Sequence, residues 1–242
     1  MIADVWTVMW KEWKELSRGG GRGRLGLLLF LGVFGVFMPL QLGNGWVTSP
    51  VMPIAAVWVS LFLVTTVVAD SFAGERERHT LETLLASRLP DRAILFGKVG
   101  AAVAYGWGVT LIGLLISLVT VNVAQRSAGL LFPLASLAVG AVVLSLLGAG
   151  LAAGVGVLVS LRAASVRQAQ QTMSFTLIVL TFGIGFGAQA LPSEWRARLL
   201  EFFVATDVTD LVTIAVVILT LLNVGLLAAA KAKFQRARLI LD

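Results

Sequence analysis

The chain has 242 residues, 58% of them hydrophobic and 13% charged, with a formal net charge of +6, one histidine and no cysteine. A soluble domain averages about 45–50% apolar and about 25% charged residues, so this composition points to a bilayer as the solvent. The missing cysteines exclude a disulfide framework, a thiol nucleophile and a thiolate metal site, and a single histidine excludes multi-histidine metal clusters.

Residues 2–16 open the chain with Ile2, Val5, Trp6, Met9, Trp10, Trp13 and Leu16 on one helical face. Asp4, Lys11, Lys14, Glu15 and Arg18 take the other. The spacing predicts an amphipathic helix over residues 1–18 that lies in the membrane interface, anchored by Trp6, Trp10 and Trp13. A helix packed on another protein domain is the alternative. Gly19, Gly20, Gly21 and Gly23 follow as a hinge whose arginines can meet anionic lipid headgroups. The first 24 residues lack the basic start, apolar core and small-residue cleavage site of a signal peptide, so the apolar run behind them is expected to be retained.

A helix needs about 20 apolar residues to cross roughly 30 Å of hydrocarbon. Residues 19–242 are expected to hold six such spans, at about 25–42, 51–70, 99–121, 133–160, 172–190 and 210–230. Gly43, Asn44 and Gly45 turn the chain after the first, and Pro133 suits the first turn of the fourth. Backbone satisfaction in lipid makes the spans α-helical. The continuous Leu/Val/Gly runs do not alternate as a barrel strand would. The fold class is therefore all-α membrane protein.

Orientation follows from Lys and Arg. Sixteen of the nineteen fall before the first span, between spans two and three, between spans four and five, or in the tail. Only Arg126, Arg196 and Arg198 lie on the other side. By the positive-inside rule both termini face the cytoplasm, in the cell membrane. The positive charge thus flanks a membrane and implies no nucleic-acid partner.

Between spans two and three lies ERERHTLETLLASRLPDRAILFGKV, with the only histidine inside it. Leu81, Leu84, Leu85 and Leu89 fall at helical spacing, and Thr80 through Ser87 read as a short amphipathic helix ending before Pro90. Glu75 and Arg78 are three apart and Arg78 and Glu82 four apart, distances at which they can pair along a helix. A leucine ridge needs a groove in membrane or partner; an ordinary charged loop is the bland alternative.

This stretch resembles the cytoplasmic loop of ABC-2 type permeases, the membrane subunits of one class of ABC exporter. The matching residues are Glu75, Glu77, Thr80, Leu81, Glu82, Leu84, Leu85, Gly97 and Lys98. In outline the resemblance covers the whole chain and implies a type V exporter-like architecture. His79 stands where the family usually has Gly, and Arg88 where a proline is common, with Pro90 two residues later. The resemblance implies that residues 75–89 form a coupling helix that docks on a separate ATPase subunit through Glu75, Arg76, Glu77, Arg78, Thr80, Leu81, Glu82, Leu84, Leu85 and Arg88. The chain has no GxxxxGK[ST], so ATP and Mg are expected on that partner and no cofactor or catalytic residue here.

Residues 191–207 are amphipathic, with Trp195, Leu199, Phe202 and Phe203 opposite Arg196, Arg198 and Glu201. They resemble the re-entrant outer helices of ABC-2 exporters; a surface helix anchored by Trp195 is the alternative. No ionisable residue lies deep in a span, which counts against an ion-coupled carrier, and no HExxH is present for a metalloprotease. Gly150/Gly154 and Gly183/Gly187 are four apart, a spacing that lets helix backbones approach. The family resemblance implies a homodimer centred on spans one and five, with Phe30, Phe34, Phe37, Phe182 and Phe186 lining an apolar route beside Gly183 and Gly187. The leading expectation is an ABC exporter permease. A haem-exporter-like maturation permease, or a scaffold or carrier without ATP, is the alternative.

Overall fold

The computed structural model describes residues 1–18, 21–80, 86–126 and 129–233. Among them there is helix and turn but no strand. Helix α1 (Ile2–Arg18) precedes a broken helix made of α2 (Gly21–Phe30), a π-helical stretch (Leu31–Phe37) and α3 (Met38–Leu42). Gly43 then takes φ +53°, a left-handed value that glycine adopts at no steric cost, and the chain reverses into the one-turn α4 (Asn44–Thr48). The long helices follow: α5 (Val51–Glu77), α6 (Asp91–Ala124), α7 (Ala135–Ser160), α8 (Val166–Ala190) and α10 (Val208–Lys233), with the shorter α9 (Ser193–Ala205) before the last.

These five long helices are each long and apolar enough to cross a membrane, and Gly26–Leu42 is a shorter apolar helix. Several outrun the bilayer. At 1.5 Å per residue α6 is about 51 Å long and α5 about 40 Å, against roughly 30 Å of hydrocarbon. Both are thus longer than a crossing requires, and their charged residues lie at the end where α1 packs. Pro133 sits one residue before the α7 N-cap, Leu134, and not in the first helical turn as its sequence suggested. There its ring shapes the entry to the helix without occupying it.

The core runs along α5, which packs most extensively on α7 and also on α6. Val64, Val68, Ala69 and Phe72 meet Ala149, Ala152, Ala153 and Val157, all buried. Small residues set the separation. A Cβ on Gly156 would come within 1.7 Å of Val68, and one on Gly106 within 2.4 Å of Val64. The Ser160 hydroxyl bonds to the backbone of α5 at Ala69, Phe72 and Ala73. Helix α10 leans on α7 through Gly150 and Gly154, where Asn223 donates to the Leu147 carbonyl at 2.9 Å. The expected close approach at Gly150/Gly154 is thus a contact within one chain.

At the end remote from α1, Trp46 is buried and its indole N–H donates to Ser117 at 3.0 Å. Asn122 pins the α6–α7 connection by bonding both the N–H and the carbonyl of Leu131.

Candidate functional site

The ERER run ends α5, and its four side chains reach in four directions. Glu75 is buried. Its Oε1 accepts from Lys11 of α1 at 2.5 Å and from Lys98 of α6 at 3.3 Å, and Oε2 accepts from the Thr80 hydroxyl. Lys98 is itself buried; it also donates to Glu12 of α1 at 2.7 Å and to the Ser71 carbonyl at 2.8 Å. Two acids and two bases from three helices thus meet at one junction, with Glu75 and Lys98 buried, Glu12 partly buried and Lys11 exposed, and the buried charges each have an opposite one as burial demands. Partial burial works against the Lys11 ammonium, and the hydrogen bond and charge of Glu75 outweigh it, holding its pKa above the ordinary lysine value.

Arg76 bonds the carbonyls of Ala163 and, at 3.0 Å, Leu161, where α7 ends. Glu77 accepts from the Val166 N–H at 3.0 Å, where α8 begins. Around it Ser165 caps the Gln168 N–H and Gln168 reaches back to the Ala164 N–H. Arg78 folds back on its own helix to grip Asp70 with 2.6 and 2.7 Å bonds. Those bonds hold its pKa above the usual arginine value. The local pairings expected from spacing, Glu75 with Arg78 and Arg78 with Glu82, are therefore displaced. Arg78 lies past the last helical residue and points back to Asp70, while Glu75 faces α1 and α6.

The helix stops by a specific device. The Thr80 N–H bonds the Glu75 carbonyl at 2.9 Å and the His79 N–H bonds Arg76 at 3.1 Å, the two bonds of a Schellman motif. That motif requires a left-handed residue, and His79 supplies it at φ +57°. The position where the resembled family usually has glycine is thus the one where a side chain is sterically penalised.

Of the other residues singled out from sequence, Leu81, Glu82, Leu84 and Leu85 lie outside the described residues, while Arg88 is exposed beyond them. Trp6, Trp10 and Trp13 are exposed, with Lys14 over the Trp10 ring at 5.5 Å. The face of α1 that meets protein is a different one. Val8 is buried at Gly97, where a Cβ would come within 2.5 Å of it, and Met9 faces Gly100. The helix therefore has a face against α6 and a tryptophan face free for the membrane interface, where the sequence reading distinguished only apolar from polar.

The five phenylalanines do not converge within one chain. Phe30 and Phe34 stack at 5.4 Å, and Phe30 stacks on Phe62 of α5 at 4.8 Å. Phe37 is exposed. Phe182 and Phe186 stack on each other at 5.8 Å on the bare end of α8, where Gly183 and Gly187 have nothing among the described residues within 4 Å of a Cβ. Sequence reasoning missed Lys11 and Glu12 as partners of the loop root. The available signal was the surplus of charge on α1 and the lone Lys98 in the otherwise apolar AILFGKVG stretch of α6.

The arrangement is that of a multi-helix membrane protein in which the charged end of α5 is anchored to several helices at once. The family profile for the ABC-2 type transporter matches residues 3–203. The chain belongs to that family, whose members are membrane transport components. No curated protein matches it.

Proposed function

We propose that this chain is the permease subunit of an ABC exporter, crossing the cell membrane six times with both termini in the cytoplasm, and driven by a separate ATPase. The single observation that supports this best is the ERER junction. A loop that docks a motor must pass force to the spans without yielding, and here four consecutive side chains bond α1, α6, the end of α7 with the start of α8, and α5 itself. A displacement of residues 81–89 would reach all of these elements together. The strong Lys/Arg asymmetry supports a cytoplasmic position for that junction. Gly26–Leu42, at the short limit of about 17 residues, supplies the sixth crossing. The permease works as a homodimer, with Gly183 and Gly187 on a face open to a second copy.

The test is co-purification of the ATPase with Leu84→Ser/Leu85→Ser permease, alongside transport-coupled ATP hydrolysis. Burying a leucine is worth about 1.5–3 kcal/mol, so docking should weaken by well over tenfold while the helical bundle persists. Wild-type retention of the partner with normal coupling would reduce the loop to a solvated connector.

A further inference from the structure

Between the broken first helix and α5 lies a cleft of about 400 Å³. Phe30, Phe34 and Met38 form one wall; Ile54, Trp58 and Phe62 form the other. Among the described residues no charged, hydroxyl or amide side chain lines it. The π-helical stretch Leu31–Phe37 begins directly after Phe30 and contains Phe34, and the Thr120 hydroxyl braces it through the Gly35 carbonyl at 2.9 Å. Single π turns inside helices frequently mark functional sites. The Phe30–Phe62 stack forms one end of the cleft, and Ile54 and Phe62 are themselves exposed, so it is open along its side.

Depth identifies what can enter. Helix α5 begins at Val51, and Phe62 lies eleven residues on, about 16 Å along the axis. In the proposed orientation the cleft therefore occupies the outer half of a roughly 30 Å hydrocarbon core, closed toward the cytoplasm by the ring stack. Its volume lies in the range of small-molecule sites, whereas packed interiors hold few voids larger than a water molecule. Water would find no hydrogen-bonding partner on these walls. A sugar, peptide or ion would lose its own hydrogen bonds on entering. A hydrocarbon chain loses nothing. Because lipid tails are as apolar as the walls, selection there rests on shape and close contact with the rings and not on hydrophobicity.

We infer that this cleft binds the hydrocarbon chain of an amphiphile, and that the cargo of the permease is an acyl-chain-bearing molecule. The assignment rests on the permease reading and names the class of cargo for it.

The experiment uses the full chain in phosphatidylcholine vesicles containing either a phosphatidylcholine with a photoactivatable diazirine in one acyl chain or the free diazirine fatty acid. After irradiation, labelled peptides are mapped by mass spectrometry. Label should concentrate on residues 30–38 and 54–62 and fall by roughly tenfold when the cleft is filled by Ala55→Phe or by Ile54→Trp, which starts from an exposed side chain and tolerates the change. Whichever probe labels more strongly tells a phospholipid from a free acid. Equal label density on the bare faces of α8 and α10, label unmoved by either filling variant, or exclusion of label by a second copy of the chain would each overturn the inference. Co-purification of the ATPase is scored separately. Cleft labelling without a bound ATPase would sink the exporter reading and leave the acyl site standing; the reverse would sink only the acyl site.

Discussion

Helices α5 and α8 are both apolar enough to cross a membrane, yet they live in different surroundings. Along α5, Val64, Val68, Ala69 and Phe72 are fully enclosed by α6 and α7. Along α8, every residue from Thr181 through Ala190 is exposed, and the same holds for the described side chains of α9 beyond it. Hydropathy does not explain the difference, since the enclosed α5 is the more apolar of the two and lipid and protein interior are equally apolar. What separates them is the use of small residues. On α7 the glycines sit against Val57, Val68, Asn223 and Leu226; on α8 Gly183, Gly185 and Gly187 sit against nothing among the described residues. One half of the molecule has spent its small residues on internal contacts, and the other keeps them available to an outside surface.

The largest effect expected from breaking this comparison is at the buried charges. Lys98→Met takes the buried cation from Glu12 and Glu75 and leaves the two acids only the exposed Lys11, and removal of one partner from a buried pair costs up to about 3–5 kcal/mol. Thermal unfolding in detergent should show a marked loss. Combining Lys98→Met with Glu12→Met should restore most of it, since Glu75 keeps Lys11. If the single variant melts as wild type does, the cluster is not holding α1.

Next comes Gly156→Val, which drives a side chain into Val68 and Met173 and should destabilise by about 1–3 kcal/mol or more. Gly185→Val, with no neighbour to meet, should leave the unfolding of the single chain within about 0.5 kcal/mol. A paired Gly183→Val/Gly187→Val variant that melts normally but loses self-association would assign the bare face to a second copy. Unchanged association would assign it to lipid.

The smallest expected effect is at His79. His79→Gly relieves a left-handed backbone position and should stabilise by about 1 kcal/mol, visible as a small rise in melting temperature, whereas His79→Val should lower it. A fall with glycine would mean that the imidazole contributes contacts outweighing its backbone cost.

Much of this was legible beforehand. The apolar runs fall on the observed helices; residues 2–16 lie within α1, and 193–205 of the expected 191–207 stretch form α9. Local periodicity carries that information because both helix phase and span length are short-range properties. The ion cluster was not legible. Glu75 meets Lys11 across 64 residues and Lys98 across 23, and nothing in the spacing of either segment names the other. Arg78 illustrates the same limit at short range. Rules of three and four hold inside a helix, and this arginine stands at its cap, free to reach Asp70 eight residues back. Likewise the cleft depends on a π stretch whose LGVFGVF sequence carries the same apolar character as the α-helical residues around it.

The adjacent pair Arg76 and Glu77 carries a further consequence through the fixed dipoles of the helices it touches. Aligned peptide units leave about half a negative charge at a helix C-terminus and half a positive charge at an N-terminus. Arg76 rests on carbonyls at the C-cap of α7 and just beyond it, and Glu77 on the opening N–H of α8, so each sits at the pole opposite to its own sign. The order of the two letters is therefore informative although their sum is zero. Exchanged, they would leave net charge, hydropathy and helix propensity almost untouched while setting both poles against the groups that now hold them. The turn between α7 and α8 is thus keyed by polarity, and the key is cut in the loop root.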